Sequence, residues 1–389
     1  MKDFNHDQIN HSLFLDQEHD ILRDQIKRFI DEKVKPSGID WEKNGFIPRE
    51  IFLEMGKLGF LGITYPSEYG GSAMDSRGSV ILAEELGRST FSGFAIATLV
   101  HTDMASVHLL NAGNQDQKEK YLREIILGNK ISCVAVTEPN TGSDVKNIST
   151  KAKQVGDKYY LNGSKIFITN GVHADIYFVA AKTTENKKRS ETITIFIVEK
   201  DNPGLKIGKV LDKHGWRCSD TAELFFDDCE VSETSILGEK NRGFYAIMKN
   251  FQNERLVMGV MAMGEAQAAI DLTIEYVKSR NAFEKKLWEN QTVSHRLAML
   301  QSKVTAGRYM VYSVANKIAS GLEVIKEVSM IKVYCGELVN EVMYTCLQLH
   351  GGTGYMTGTE IERLTRDARA QSIGGGATEV MLEEVAKRM

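Results

Sequence analysis

The sequence predicts an α+β protein in three consecutive blocks: an N-terminal helical bundle (1–130), a middle antiparallel β-barrel (131–240) and a C-terminal four-helix bundle (241–389). Two changes of period carry this expectation. Apolar residues recur at helical spacing up to about residue 130, alternate at a period near two from Ser132 to about Val231, and return to helical spacing after Gly243. The length of 389 residues supplies the third observation, because it is enough for two or three domains with a large core.

In the first block, Leu22, Ile26, Phe29, Ile30 and Val34 share one helical face, and Pro36 is expected to end that helix. A second helix opens near Pro48 and carries Ile51, Phe52, Met55 and Leu58. Ser76 to Leu86 and Ser92 to Leu110 read as two more. A fifth starts near Asn114 and stops before Gly128, a suitable left-handed C′ residue. Short connections make these helices antiparallel neighbours.

The middle block offers strands at 134–136, 151–155, 159–162, 165–169, 176–181, 192–198, 205–210 and 222–226. Gly156-Asp157 and Asn162-Gly163 read as hairpin turns. Many short strands at close spacing imply a small antiparallel barrel or sandwich. Long helices follow over about 244–279, 293–320 and 324–349, with shorter pieces from Thr359 onward.

The net charge of −4 gives no basic footprint for nucleic acid. Five cysteines, an odd number with no CxxC pair, fit reduced thiols in a cytoplasmic protein. Nine scattered histidines form no HExxH pattern, and no metal site is expected. The first twenty residues carry acids and no apolar core, unlike a secretory or transit peptide. No apolar run reads as long enough to span a bilayer.

One stretch stands out for chemistry. In SCVAVTEPNTGSD, Ser132 to Asp144, an apolar strand breaks into a turn of small and polar residues. Such a turn gathers free N–H groups and hydroxyls, which suits phosphates or the polar edge of a flat cofactor. The plain alternative is a β-turn after a core strand. Neither GxGxxG nor GxxxxGK[ST] is present, which argues against the common nicotinamide and nucleoside-triphosphate folds.

Four further stretches join it in order: GSKIFITNG (163–171), GFYAIMKNFQNER (243–255), SRNAF (279–283) with Gln291, and QLHGGTGYM (348–356) with RDARAQSIGGGATEV (366–380). Together they resemble the acyl-CoA dehydrogenase family over nearly the whole chain. That resemblance implies the α–β–α fold, bound FAD, a homotetramer and electron-transfer flavoprotein as the electron acceptor. It assigns Val134, Val136, Thr137, Gly142 and Ser143 to the flavin ring, with Phe167, Ile168 and Thr169 on a second strand beside it. Phe167 stands where many members have Trp, keeping an aromatic surface without the indole donor. Arg280, Phe283 and Gln291 match positions that meet the FAD diphosphate and adenosine of a neighbouring subunit. Gln348, Gly351 and Gly352 match a turn at the diphosphate, and Ala377 and Glu379 match further FAD positions.

The resemblance also implies the reaction: a base removes the proton α to the thioester while the flavin accepts the β hydride. The N–H of Gly375 would donate to the thioester oxygen. Familiar members carry their catalytic glutamate where this chain has Gly375. A smaller branch, including the long-chain and isovaleryl enzymes, carries it on the first C-terminal helix before an arginine, which here is Glu254 before Arg255. The residues agree independently. Ile247, Phe251, Met258 and Met261 fall at i−7, i−3, i+4 and i+7 from Glu254, setting a carboxylate in an apolar stripe where burial raises its pKa. The competing reading is a structural glutamate paired with a core arginine.

Substrate contacts implied by the resemblance are Ser143, Gln252, Asn253, Arg255 and Gly376. Gln252 replaces an aspartate of several relatives, which leaves an acyl-carrier-protein thioester open beside acyl-CoA. An oxygen-using oxidase or hydroxylase of the same fold, and a non-catalytic flavin-binding subunit, are the remaining alternatives.

Overall fold

Burial of the face formed by Leu22, Ile26, Phe29, Ile30 and Val34 carries the first helix straight through Pro36. Helix α1 (Gln17–Phe29) runs into a π turn, Ile30–Val34, and on into α2 (Lys35–Asn44). The expected stop at Pro36 is therefore corrected. Proline lacks an N–H and crowds the carbonyl four residues back. The π turn widens the helix at that point, with the Lys35 N–H reaching Ile30 O. Pro36 then occupies the first turn of α2, where a missing N–H costs nothing.

The computed structural model describes residues 14–184 and 188–389, so the first thirteen residues of the expected N-terminal block lie outside the described residues. Helices α3 (Arg49–Lys57), α4 (Ser76–Arg88) and α5 (Ser92–Leu99) follow. A second π turn, Val100–Ala105, joins α5 to α6 (Ser106–Ala112). The helical stretch 115–126 ends ahead of Gly128, which takes φ +74° against the Phe52 carbonyl.

The strands are β1 (Ser132–Ala135), β2 (Lys151–Val155), β3 (Lys158–Thr169), β4 (Ile176–Lys182), β5 (Ile193–Glu199), β6 (Leu205–Val210), β7 (Thr221–Ser232) and β8 (Ile236–Leu237). They form one sheet in the order β6-β7-β3-β2-β4-β5-β8, with β1 also paired to β4. The expected antiparallel barrel is corrected on two counts. The β1–β4 and β2–β4 pairings are parallel, and among the described residues the end strands β6 and β8 do not pair to close a barrel. Strand β4 is apolar on both faces for a physical reason. Ile176, Phe178 and Ala180 pack with Leu109, Leu122 and Ile247 of the helices, while Tyr177, Val179 and Ala181 pack with Tyr159, Leu224 and Phe226 of the sheet.

Gly156-Asp157 does turn the chain between β2 and β3, pairing Val155 with Lys158. Asn162-Gly163 does not. It lies inside β3 as a bulge, with Gly163 at φ +151°. Opposite it in β7, Asp228 takes φ +43° and exchanges two 2.9 Å hydrogen bonds with Asn162. Residues that look like turns are here the two halves of one irregularity.

The C-terminal block holds three long helices, α7 (Gly243–Ser279), α8 (Gln291–Ala319) and α9 (Ile325–His350), closed by the short α10 (Glu360–Ala368) and α11 (Thr378–Ala386). Against expectation, Ser92–Ala112 and Gly243–Ser279 are long and apolar enough to cross a bilayer, yet 89% and 83% of their most apolar windows are buried inside the protein. A helix enclosed by its neighbours is apolar all round. The blocks are tied by a buried cluster in which Glu84 of α4 accepts from Arg23 of α1 at 2.9 Å and from Arg308 Nε of α8 at 2.6 Å. Helices α4 and α7 also touch backbone to backbone. A Cβ on Gly264 would lie 2.2 Å from Glu84 O, and one on Gly87 would lie 2.3 Å from Met261 O. Gly264→Ala is therefore expected to destabilise the protein by about 1–3 kcal/mol through overpacking. A lowered urea midpoint at constant slope is the expected readout, and an unchanged midpoint would contradict this contact.

Candidate active site

The turn after β1 is built by one buried ion pair. Glu138 and Thr141 exchange backbone hydrogen bonds of 3.0 Å across Pro139-Asn140, closing a tight loop. The Glu138 side chain turns inward and accepts from Lys165 Nζ at 2.8 Å, Ser149 Oγ at 2.6 Å and Thr150 N at 2.9 Å. Lys165 Nζ also donates to Val136 O at 2.9 Å, and Ile166 N donates to Thr137 O at 3.0 Å. These bonds hold the 134–143 segment against β3. Burial alone would raise the Glu138 carboxyl, but the Lys165 charge and the hydrogen bonds outweigh it and hold the group at about 2. Burial lowers Lys165 to about 8, opposed by Glu138. Neither residue is singled out by the sequence pattern; the only signal is an acid beside the proline of the first motif.

The pair brings the first set of expected cofactor residues together. Val134, Val136 and Thr137 are half-buried, and Gly142 and Ser143 are exposed, with open space where a Cβ on Gly142 would sit. Phe167 is 65% exposed and takes φ +61° beside a register shift in β3. A phenylalanine held in the left-handed region with its ring in the open is a strained choice that folding alone does not explain. Thr169 is half-buried, whereas the Ile168 side chain is buried in the sheet core. The assignment of Ile168 thus reduces to its backbone. The site offers a glycine turn, hydroxyls and an aromatic face, a donor set that fits a flavin ring.

A second set lies elsewhere. Arg280, Phe283 and Gln291 follow the C-terminal end of α7, and all three are exposed. Phe283, 95% exposed, sits with Glu284 at positive φ between the strands Asn281–Ala282 and Lys285–Lys286, a two-residue hairpin. Gln348, Gly351 and Gly352 lie at the same end of the bundle, because His350 stacks on Tyr276 at 4.3 Å. Gly351 takes φ +59°, and a Cβ on either glycine would meet nothing. From Glu254 to Ser279 one continuous helix rises about 38 Å. This second set therefore lies far from Glu254 within one chain.

Glu254 lies on α7 and is 7% exposed. Ile247, Met258 and Met261 are buried around it and Phe251 is half-buried, as the stripe implies. The pairing with Arg255 is not made. Arg255 instead lies over the Phe251 ring at 5.7 Å, with its buried Nε unpartnered. The Glu254 carboxylate accepts from Asn250 Nδ2 at 3.0 Å. Burial raises its pKa to about 8, with the Asn250 hydrogen bond and the Arg255 charge pulling the other way.

Gly375 faces this helix. It takes φ +64°, and a Cβ there would lie 2.2 Å from Met258 Sδ, so Met258 fills the space a side chain at 375 would need. Among the described residues the Gly375 N–H has no backbone partner. The loop is held from below by Lys332 of α9, a buried cation that donates to Gln371 O and, at 3.2 Å, to Gly376 O. Trp216, at φ +53° with its indole N–H buried and unpartnered, closes the Gly374 side. Lys332 and Trp216 are missed by the sequence reading. Gln252 is half-buried on α7; Asn253 is half-buried too, but its amide is spent on Asp103. Gly376 and Ala377 are half-buried and Glu379 is exposed in the first turn of α11.

Comparison with known proteins matches this architecture block by block. The acyl-CoA dehydrogenase N-terminal domain family matches residues 16–129, the middle domain family residues 133–229 and the C-terminal domain family residues 241–389. The chain is 37% identical to the mitochondrial long-chain specific acyl-CoA dehydrogenase of Mus musculus over 96% of this chain and 86% of that protein. It is 37% identical to the mitochondrial isovaleryl-CoA dehydrogenase of Pongo abelii over 94% and 87%. Among solved structures it is similar to an acyl-CoA dehydrogenase from Geobacillus kaustophilus, with TM-score 0.93, 38% identity and coverage of 97% and 99%. A structure described as the electron transferring flavoprotein of Acidaminococcus fermentans gives TM-score 0.94, 32% identity and coverage of 97% and 99%. The chain belongs to the acyl-CoA dehydrogenase family, whose members are flavoprotein oxidoreductases acting on CH–CH bonds.

Removing one partner of a buried pair leaves an uncompensated charge. Glu138→Gln, which strands the Lys165 ammonium, is expected to cost about 3–5 kcal/mol. Because the Glu138 pKa is depressed, its contribution is present above the ordinary carboxylate range and fades as pH falls towards about 2. Urea unfolding of both proteins from neutral pH downwards checks this, and parallel curves at all pH values would contradict it.

Proposed function

We propose that this protein desaturates an acyl-CoA thioester between its α and β carbons, with Glu254 as the base that removes the α proton. The observation that carries the reading is a carboxylate set in a nearly dry apolar stripe, with no cation paired to it among the described residues and a pKa moved to about 8. When bound, FAD supplies the acceptor for the hydride leaving the β carbon.

The chain's own residues do the rest. Glu254 takes the proton once its carboxyl is ionised. The free Gly375 N–H donates to the thioester oxygen, where negative charge grows as the proton leaves. Phe167, Thr137, Gly142, Ser143 and Thr169 hold the ring, and the buried apolar stripe around Glu254 keeps water from the base. Arg280, Phe283, Gln291, Gln348, Gly351 and Gly352 hold the diphosphate and adenosine of a neighbouring chain's cofactor. Their separation of about 38 Å from Glu254 along α7 supports that division between two chains, an arrangement a homotetramer would provide. Relatives named for CoA thioesters favour CoA as the carrier. The likeness to a structure titled for electron transferring flavoprotein supports such a protein as electron acceptor. Five free, buried cysteines fit a reducing cytoplasm.

Glu254→Gln keeps the shape and removes the base. Anaerobic reduction of bound flavin by acyl-CoA is expected to slow about 10²–10⁴-fold in this variant. In the native protein the rate should climb as pH rises through about 8, because the ionised form is the active one. Native-like reduction rates in the variant would overturn the assignment.

A further inference from the structure

The base is not held by its own helix alone. Two asparagines of α7, Asn250 and Asn253, reach across to consecutive carbonyls of the Val100–Ala105 π turn. Asn250 Nδ2 donates to Met104 O at 2.9 Å, and Asn253 Nδ2 donates to Asp103 O at 2.9 Å. A π turn breaks the regular i−4 ladder and leaves carbonyls free for such bonds, often beside functional sites. Glu254 stands next to this clasp. The second hydrogen of the Asn250 amide goes to Glu254 Oε1 at 3.0 Å.

We propose that Asn250 is a positioning residue for the reaction: anchored on Met104 O, it fixes the Glu254 carboxylate by Oε1 and leaves Oε2 for the substrate proton. The inference rests on Glu254 as base and goes beyond it. Met104 O can only accept, so the amide must point its nitrogen at the site. With both hydrogens used, the amide cannot rotate without leaving a buried carbonyl or the carboxylate unmatched. The clasp thereby links the base, through Asn250 one turn earlier on α7, to the N-terminal block. Glu254 Oε2 makes no hydrogen bond among the described residues, which suits the atom that receives the proton.

The surroundings leave Asn250 as the main polar control on the base. Arg255 on the same helix contributes charge but no contact. His108 of α6 lies 3.5 Å from the Asn250 nitrogen, and burial lowers its pKa to about 4, so it stays neutral. Asp103 of the π turn faces Asn253, and Lys332 of α9 stands beside Gly375. A donor to the ionised carboxylate favours that form. Without it the carboxyl holds its proton to higher pH, and less base is present at neutrality.

The test compares Asn250→Leu with Asn253→Leu in the flavin-loaded protein. Each breaks one half of the clasp, but only the first touches Glu254. Asn250→Leu should move the pH midpoint of anaerobic flavin reduction upward by about one unit, with the lost rate recovered at high pH. Asn253→Leu should leave the midpoint in place. The infrared carbonyl band of protonated Glu254, identified by its loss in Glu254→Gln, should titrate with the same shift and needs no turnover. If Asn250→Leu does not fold, Asn250→Ala, a better helix former, carries the same expectation. An unmoved midpoint in the Asn250 variant, or equal shifts in both variants, overturns the proposal. If Glu254→Gln stays fully active, the base assignment itself has failed, which is a separate outcome.

Discussion

A carboxylate kept almost out of water on a helix that three blocks share is the constraint from which the rest of the structure follows. Taking a charged group out of water is costly unless it is paired or hydrogen-bonded, and otherwise the group holds its proton to higher pH, as Glu254 does. Here the charge is neither paired nor exposed. The apolar stripe of α7 excludes water, the N-terminal π turn sets the direction of the amide that meets Glu254, and the Gly375 loop stands over Met258 one helical turn away. The N-terminal block thus takes part in aiming the base.

The same logic explains the glycine at 375. A side chain there would have to adopt φ +64° and displace the Met258 sulfur, and glycine avoids both. The position keeps a backbone donor instead. Lys332 underneath ties two carbonyls of the loop, and among the described residues the Gly375 N–H has no backbone partner. Proton removal and stabilisation of the resulting charge are thereby split between α7 and the loop, each held by a buried polar group that only the folded chain brings near.

Much of this was legible in sequence because it follows from period. The three blocks, the helical face of Leu22 to Val34, the stripe around Glu254 and most strands follow from the spacing of apolar residues, which folding preserves. What failed were local punctuation rules. Pro36 ought to stop a helix, but a π turn absorbs it; Asn162-Gly163 ought to turn a hairpin, but it faces Asp228 as a bulge. The barrel expectation failed because β4 pairs in parallel with β1 and β2, and pairing direction leaves no trace in alternation. The Glu138–Lys165 pair and the Asn250–Met104 bond were invisible because each joins residues distant in the chain, 27 and 146 positions apart. Contacts of that kind are made by the fold and not by neighbours.

The most direct test separates proton removal from oxidation. An acyl-CoA analogue with sulfur in place of the β methylene cannot give up a hydride, yet keeps acidic α protons. Incubated with the flavin-loaded protein in deuterated buffer, it should exchange its α protons for deuterium, seen by mass spectrometry, and should fail to do so with Glu254→Gln. Exchange at native rates in that variant would contradict the account.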